Sequence, residues 1–153
     1  MSVTMEIKGL EKFRKGLQDL PAKVAKLAMM KAVKYAAFIL EEEAKQRAPV
    51  DSGALRDSIV SKGKTISPWE VSYKVQTMNV GTNKQSAWYA PLVEYGHTYV
   101  IKRGKKVVAH GRVPPRPFFR PAFDAQKENM QDVMVKEVSE AASKYWSKLS
   151  ARS

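Results

Sequence analysis

The chain of 153 residues contains no cysteine and no long apolar run. Without cysteine, disulfides, thiolate metal sites and cysteine nucleophiles are excluded together, and a reducing compartment is compatible with the sequence. No apolar segment approaches the roughly 20 residues that are needed to span a bilayer. The first residues, MSVTMEIKGLEKF, have no apolar core after a basic start, so the sequence predicts no export signal.

Histidine is scarce too, with only His97 and His110 present. The motifs of zinc hydrolases, phosphate-binding loops and nucleophile elbows are missing from the sequence. Residues 41–43, three consecutive glutamates, point in different directions around a helix, and Gly96 interrupts the helix that would align Glu94 with His97. The sequence therefore predicts no catalytic residue, no metal, no cofactor and no enzyme. A hydrolase with an unrecognised site is the weakest alternative.

Acidic residues are few relative to basic ones. Asp and Glu number 15 against 27 Lys and Arg, which leaves a net charge of +12. Such a charge favours an anionic partner, which could be nucleic acid, a membrane surface or an acidic protein face. In the N-terminal half, where the two signs interleave, a solvated surface of scattered lysines is an equally good interpretation. The length and the 44% hydrophobic content fit one globular domain over residues 1–153.

The spacing of apolar residues predicts two long helices, preceded by a short amphipathic helix at 9–18. The first long helix follows Pro21 and ends before Pro49, because a residue before proline avoids the helical region. The last helix has Pro121 in its first turn and Asp124 near its positive end. The predicted buried positions are Val24, Leu27, Ala28, Tyr35, Ala36, Ile39 and Leu40 in the first helix, and Phe119, Ala122, Phe123, Met130, Val133, Met134, Val138, Ala141, Tyr145 and Leu149 in the last.

The segment RAPVDSGALRDSI, residues 47–59, combines a helix stop with an immediate helix start. Asp51 is the predicted N-cap of the second helix. Val50 and Leu55 occupy the positions of a hydrophobic staple, which would set the angle at which the chain enters that helix. Gly53 lies inside the first turn, where glycine costs about 1 kcal/mol against alanine. Its presence predicts a close approach of backbone at that point.

Strand signals dominate the middle of the chain. WEVSYKVQ alternates, with Trp69, Val71, Tyr73 and Val75 on one face. Residues 59–66 are its predicted hairpin partner, with a turn or bulge at 62–64, and residues 78–82 are a weaker continuation. Residues 86–95, SAWYAPLVEY, predict a short helix closed by Gly96 in the left-handed cap position.

A second predicted hairpin, TYVIKRGKKVVAHGRV, pairs residues 99–101 with residues 107–109 across Arg103-Gly104-Lys105. The order of elements is helices, strands and then a helix. The fold class is therefore α+β: an antiparallel β-sheet packed against a long N-terminal helix and a long C-terminal helix, with a short helix between strands.

Three segments carry a resemblance to a known family: EEEAKQRAPVDSGALRDSI, VGTNKQSAWYAPLVEYG and PPRPFFRPAFD. Together they resemble the small tail-completion, or neck, proteins that join head and tail in long-tailed bacteriophages. That family shows Ala-Pro-Val-Asp-Thr-Gly-x-Leu, then Tyr-Ala-x-x-x-Glu-x-Gly, then Pro-x-Arg-Pro-Phe before a terminal helix. Ser52 replaces the common Thr, and the resemblance covers about residues 9–149. The motif residues are Pro49, Asp51, Ser52, Gly53, Leu55, Tyr89, Pro91, Glu94, Gly96, Pro115, Arg116, Pro117 and Phe118.

The resemblance implies a structural role without a cofactor, a membrane or a small-molecule ligand. Members form a ring, commonly of six subunits, between the tail tube or tail terminator and the head-completion or connector proteins. The implied location is the virion, after assembly in the host cytoplasm. On this interpretation the motif residues form a corner that sets how neighbouring subunits meet. The alternative is that they only close the core of their own subunit.

Residues 97–113 depart from the family pattern, since this hairpin is longer and more basic, and its role is not implied by the resemblance. From residue 95 to 123 the chain has seven cations and no acid. Contact with DNA in the channel would give a steep salt dependence, and contact with an acidic protein is the other option. The simpler alternative is an exposed turn whose lysines discourage edge pairing. The candidate contact residues are Lys102, Arg103, Lys105, Lys106, Arg112 and Arg116.

The net charge also bears on assembly. A ring of six chains would carry six times the charge of one, and like charges repel over about 10 Å at 0.1 M salt. The sequence therefore predicts a protein that is monomeric or weakly associated by itself and forms its ring with an acidic partner. A small basic DNA-binding protein is the alternative function.

Overall fold

A computed structural model of the chain describes residues 15, 17–18, 20–67, 70–78 and 87–151. The predicted α+β class is confirmed, with a long helix near each end and antiparallel strands between them. The predicted helix at 9–18 and the predicted strand continuation at 78–82 lie mostly outside the described residues. In chain order the elements are α1 (Ala22–Arg47), α2 (Ala54–Ser58), β1 (Ile59–Ser67), β2 (Glu70–Thr77), a 3-10 turn (Ala87–Tyr89), α3 (Ala90–Tyr95), β3 (His97–Arg103), β4 (Lys106–Val113) and α4 (Phe119–Ser150).

The two long helices pack against each other through small side chains on α1. Alanines recur there at a spacing of four and join one core cluster with methionine and valine side chains of α4, which lets the helix axes approach closely. The ion pair between Lys31 and Glu137, at 2.9 Å, lies beside this contact. The residues that form the helix–helix part of the core are Ala28, Ala32, Ala36, Met130, Met134 and Val138.

The predicted apolar stripes are correct in the centre of each helix and wrong at some positions. Leu27 is 60% exposed and Tyr35 is 41% exposed, because the alanines rather than these larger residues face α4. Leu149, in the last turn of α4, is also exposed. The helix stop before Pro49 is confirmed: α1 ends at Arg47, and Ala48 has an extended ψ of 130°.

Within the described residues the strands form two separate two-stranded sheets rather than the one sheet predicted. In the first hairpin, Ile59 and Val75 are buried against α1, and Tyr73 packs on the same core. The predicted turn at 62–64 is wrong, because β1 continues through these residues to Ser67. Gly63 lies opposite Tyr73 in the register, and the tyrosine ring occupies the space that a Cβ atom of residue 63 would need.

The second hairpin, residues 97–113, is called the basic ribbon below. Tyr99–Ile101 pair with residues 109–111 and not with 107–109 as predicted. Two features produce this shift: the turn has only two residues, Gly104 and Lys105, and a bulge leaves Val108 without a pairing partner. Every residue from 98 to 110 whose side chain is described is exposed. The basic ribbon therefore extends away from the core.

Candidate functional site

The first two family motifs meet at one corner of the molecule. Residues Pro49, Asp51, Ser52, Gly53 and Leu55 from the first motif enclose a cavity of about 230 Å³ together with Tyr89 and Val93 from the second. Leu55 is buried, and Tyr89 packs against the core. The two segments are more than 30 positions apart in the sequence, so their contact fixes where α3 lies relative to the end of α1.

Local geometry at this corner differs from the prediction. The residue that precedes α2 is Gly53, and Asp51 is exposed and makes no capping hydrogen bond. The Ser52 hydroxyl lies 3.4 Å from the backbone N–H of Ala54, which is a weak substitute for a cap. Val50 is 65% exposed, so the predicted staple with Leu55 does not form.

Gly53 is required for a reason other than the predicted close approach. Its φ is +80°, a left-handed conformation that residues with a Cβ rarely adopt. The nearest atom to a Cβ placed there would be 3.5 Å away, which leaves ordinary space. The glycine therefore makes the reversal between Pro49 and α2 possible through its backbone angles alone.

Glu94 joins the second motif to the third. Its carboxylate is buried and accepts hydrogen bonds from the backbone N–H groups of Phe118 (2.7 Å), Phe119 (3.1 Å) and Arg120 (3.2 Å). These are unpaired donors at the positive end of α4. The helix has no acid in its own first turn, so Asp124 does not fill the predicted role and Glu94 fills it from α3.

The segment between the basic ribbon and α4 is attached to α3 by its backbone. The Arg116 N–H donates to the Val93 carbonyl at 2.7 Å. A Cβ at Gly96 would lie 2.7 Å from the carbonyl oxygen of Val113 and 2.9 Å from the nitrogen of Pro115. Gly96 has φ +71° and ψ 168°, so its φ is positive but it does not adopt the predicted left-handed helical cap conformation. Pro91 lies in the first turn of α3, and Phe118 is fully buried against Phe119.

A second buried carboxylate ties the first hairpin to α1. Glu41 accepts hydrogen bonds from the Ser61 N–H at 2.7 Å and from Lys45 at 2.6 Å. Burial alone would raise the pKa of Glu41, but the hydrogen bonds from Lys45 and Ser61 outweigh it and hold the pKa below its ordinary value. Hydrogen bonds from Gln126 and Arg47 likewise lower the pKa of Glu43, which links α1 to α4.

Sequence reasoning missed both carboxylate roles. Glu41 and Glu42 share Lys45 as a partner, while Glu41 and Glu43 also make separate contacts to β1 and to α4. For Glu94 a signal was present: the segment PPRPFF offers no Ser, Thr, Asp or Asn to cap α4, so an acceptor had to come from elsewhere.

The candidate contact cations are exposed on the surface. Lys102, Arg103, Lys105, Lys106 and Arg112 are all exposed on the basic ribbon. Arg116 lies outside the ribbon, in the proline-rich segment. Within the described ranges none of the six forms an ion pair.

Chemical sites are limited in the part of the chain that the structure covers. There, no group of three or more His, Asp or Glu residues is arranged to hold a metal ion. Among the same residues, no helix is both long and apolar enough to cross a membrane.

Comparison with known families identifies the group to which this architecture belongs. Residues 11–96, more than half of the chain, match the family described as "Bacteriophage HK97-gp10, putative tail-component". The chain belongs to the HK97-gp10-like family of bacteriophage tail components. Searches of curated proteins and of solved structures each gave no match.

Family membership confirms the resemblance to phage tail proteins and bears on location and partners. A tail component is part of the virion and contacts other phage structural proteins, and such a role favours structural rather than enzymatic work. The matched segment includes the corner and Glu94 and ends at Gly96. The basic ribbon and α4 therefore lie beyond the part of this tail component that the family match covers.

Proposed function

We propose that this tail component is a ring-forming adaptor at the head-proximal end of the tail, between the tail tube or its terminator and the head-completion or connector proteins. The observation that carries the proposal is the distribution of exposed apolar side chains. Leu27 and Phe38 on α1, Ile101 on the basic ribbon and Trp146 on α4 are each about half exposed or more. On α1, Leu27, Tyr35 and Phe38 recur at helical spacing and form one exposed apolar stripe rather than scattered residues, which is typical of a surface that contacts a neighbour.

The rigid corner supports this role. The cavity shared by Pro49 and Tyr89, and the Glu94 hydrogen bonds to α4, link the three motif segments into one framework. A subunit in a ring must hold its contact surfaces at fixed angles, because small angular errors accumulate around the closure. The motif residues supply that rigidity from inside the subunit, and the exposed surfaces remain available to neighbours.

Assembly is expected to depend on a partner. The net charge of +12 makes copies of the chain repel one another at low salt, so the protein alone is monomeric or weakly associated. An acidic surface on the tail or on the head would lower this repulsion and promote a ring, which we propose contains six copies.

Electron microscopy of a phage that lacks this gene product tests the proposal. We expect separate heads and tails, with the tails missing one layer of density at the head-proximal end, and we expect the purified protein to restore joining. Light scattering should show a ring-sized species only after purified tails are added. Normal virions without the protein, or stable hexamers of the protein alone at low salt, would contradict the adaptor role or its dependence on a partner, respectively.

Non-specific DNA binding is the second candidate function, and the exposed cations of the basic ribbon favour it. A mobility shift with duplex DNA at two salt concentrations separates the two functions. Binding whose logarithm falls by about 0.9 per phosphate contact for each log unit of salt supports DNA binding. A variant with Lys102 and Lys106 changed to Gln should then bind more weakly, and a control with Lys23 and Lys26 of α1 changed to Gln should not. If neither the protein nor the control binds DNA, the second function is rejected.

A further inference from the structure

We propose that the basic ribbon of one copy docks on the acidic outer face of α4 in a neighbouring copy. This inference deepens the ring proposed above and rests on it, since it names the contact that would repeat around the ring.

One face of the basic ribbon is apolar and open. Side chains alternate along a strand, so Tyr99 and Ile101 of β3 share a face with Val113 of β4, which is paired with His97. All three are exposed, at 45%, 50% and 36%. A two-stranded hairpin is at best marginally stable in water by itself, and three or more strands or a packed helix are normally needed to cover such a face. This face therefore has the composition of a docking surface.

The tip of the ribbon adds positive charge to that surface. Arg103 lies on the same face as Ile101 and is paired with Lys106 at the end of the ladder, and Lys105 lies in the turn beside them. The occupant must therefore present carboxylates. DNA would satisfy the cations but would leave Tyr99 and Ile101 in water, so a protein surface fits both features better.

The outer face of α4 supplies such carboxylates on the chain itself. Asp124, Glu128 and Asp132 follow one another at a spacing of four, so they lie on one face of the helix, and all three are exposed. In the described part of the chain none of them has an ion-pair partner, although Lys127 and Lys136 are near in sequence. Like charges at this spacing destabilise a helix, so contact with cations would reduce the repulsion among the three carboxylates.

The two surfaces have similar dimensions. Three carboxylates at this spacing span about 12 Å along the helix, at 1.5 Å per residue. The cationic end of the ribbon, from residue 102 to the start of the turn at residue 104, spans about 7 Å at 3.3 Å per residue, and the long side chains of Arg103 and Lys106 extend its reach. Because the ribbon and the acidic face are different parts of the chain, their contact is head-to-tail. A contact of this kind repeats from copy to copy and generates a closed ring when the rotation allows it.

The contact should be weak between free copies. Exposed ion pairs contribute little in water and are screened by salt, and the net charge of +12 opposes association. It becomes persistent where another tail component holds the copies side by side. This accounts for a ribbon that stays open in the single chain and for a ring that needs a partner.

Engineered cysteines test the contact, because the natural chain has none. The ribbon variant carries Lys105→Cys at the turn of the basic ribbon, and the helix variant carries Ala125→Cys beside the acidic face of α4. A short bifunctional maleimide is added to a mixture of the two at low salt. We expect the mixed dimer in preference to either homodimer. The matched control, Gln46→Cys at an exposed position of α1, should give little mixed dimer with the ribbon variant.

Charge reversal identifies the occupant. In the ribbon variant, Arg103 and Lys106 are changed to Glu, and in the helix variant the three carboxylates of the acidic face are changed to Lys. Each reversal alone should lower the mixed dimer by roughly tenfold, and the two reversed chains together should restore it. Circular dichroism and thermal melting should be unchanged, because every altered residue is exposed.

The outcomes separate this inference from the proposed function. A cross-link that survives reversal of the α4 face, or that reversed pairs do not restore, overturns docking on a second copy. If the ribbon reversal, made in the cysteine-free chain, also prevents joining to purified tails while the α4 reversal does not, the ribbon contacts another tail protein and docking on a second copy is overturned. Loss of the cross-link on addition of duplex DNA, with no restoration by paired reversal, assigns the ribbon to DNA. If paired reversal restores the cross-link but the wild-type protein never joins tails, docking between copies is supported and the adaptor role is overturned.

Discussion

The two hairpins of the molecule have similar lengths and the same antiparallel pairing, but their surroundings differ. In β1–β2, Ile59 and Val75 are buried and Tyr73 packs on the core. In the basic ribbon, Ile101 and Tyr99 remain exposed. Strand pairing is therefore not what distinguishes them. The first hairpin completes the core of the subunit, and the second has a face that is available for contacts outside it.

A buried glutamate holds each hairpin: Glu41 contacts a strand of the first, and Glu94 contacts the segment that follows the second. Glu41 accepts a hydrogen bond from β1 and holds that strand to α1. Glu94 accepts three from the start of α4, just after the basic ribbon, and so fixes only the base of that ribbon. The first hairpin is attached to the core through Ile59, Ser61, Tyr73 and Val75, whereas Glu94 fixes only the root of the ribbon, whose tip is exposed.

The largest expected effect compares the same residue type in the two hairpins. Ile59→Ala should lower the free energy of unfolding by about 3 kcal/mol, because the side chain is fully buried and the change leaves a cavity. Ile101→Ala should change it by no more than about 0.5 kcal/mol, since that side chain is half exposed. Urea denaturation of both variants measures the difference. Similar losses in the two would mean that the ribbon is packed in the free protein.

Sequence alone predicted the strands of both hairpins but not this difference. WEVSYKVQ alternates regularly, whereas TYVIKRGKK breaks its apolar run with cations only near the turn. Burial depends on what lies over a face, and the alanines of α1 that cover β1–β2 come from a distant part of the chain. The turn at 62–64 was mispredicted for a local reason, since Gly63 is typical of a turn but is instead the partner of a tyrosine ring. The register of the basic ribbon was mispredicted because of its two-residue turn and the bulge at Val108.

The sequence predicted where the corner lies but not the contacts that hold it. The helix stop at Pro49 follows from backbone sterics and is confirmed. The sequence indicates that α4 lacks a cap of its own, but it does not identify Glu94 as the acceptor, because the two are 24 to 26 positions apart. Nothing in the local pattern around Glu94 indicates which backbone donors it meets.

The second prediction concerns the root of the ribbon. Glu94→Gln should lower the free energy of unfolding by about 2 kcal/mol, because hydrogen bonds to a charged acceptor are lost inside the protein and the amide group faces N–H donors. Amide exchange at Phe118, Phe119 and Arg120 should become faster, while exchange in β1 stays slow. Glu128→Gln, an exposed change on α4, is the control and should have little effect on any of these. If exchange at the start of α4 does not change, Glu94 is not its cap.

The third prediction uses the glycine–tyrosine pair that occurs in both hairpins. Gly63→Ala should cost about 1.5 kcal/mol, because the added Cβ displaces the Tyr73 ring, which packs on the core. In Gly111→Ala the Cβ would lie 2.6 Å from the Tyr99 hydroxyl, at the end of an exposed side chain that can rotate into solvent. That variant should change stability by less than about 0.5 kcal/mol. Thermal melting measures both, and an equal loss would contradict the difference in attachment.

The smallest effect concerns acid and the attachment of the first hairpin. The pKa of Glu41 is lower in the folded protein than in the unfolded chain, so its contribution to stability is present above the unfolded value, about 4.3, and is lost as pH falls through the folded value. Glu41→Gln should therefore cost roughly 1 kcal/mol at neutral pH and less in acid.

Hydrogen exchange of the Ser61 amide, measured from neutral to acidic pH, tests the hydrogen bond from Ser61 to Glu41 directly. In the wild-type protein its protection should fall as Glu41 becomes protonated, and in Glu41→Gln it should already be low at neutral pH. Glu42→Gln is the matched control, since Glu42 also pairs with Lys45 whereas the bond to β1 comes from Glu41. The basic ribbon, residues 97–113, contains no carboxylate, so the protection of its amides should not change as Glu41 becomes protonated. If Ser61 and the ribbon amides lost protection together, the two hairpins would be one cooperative unit rather than a fixed one and a free one.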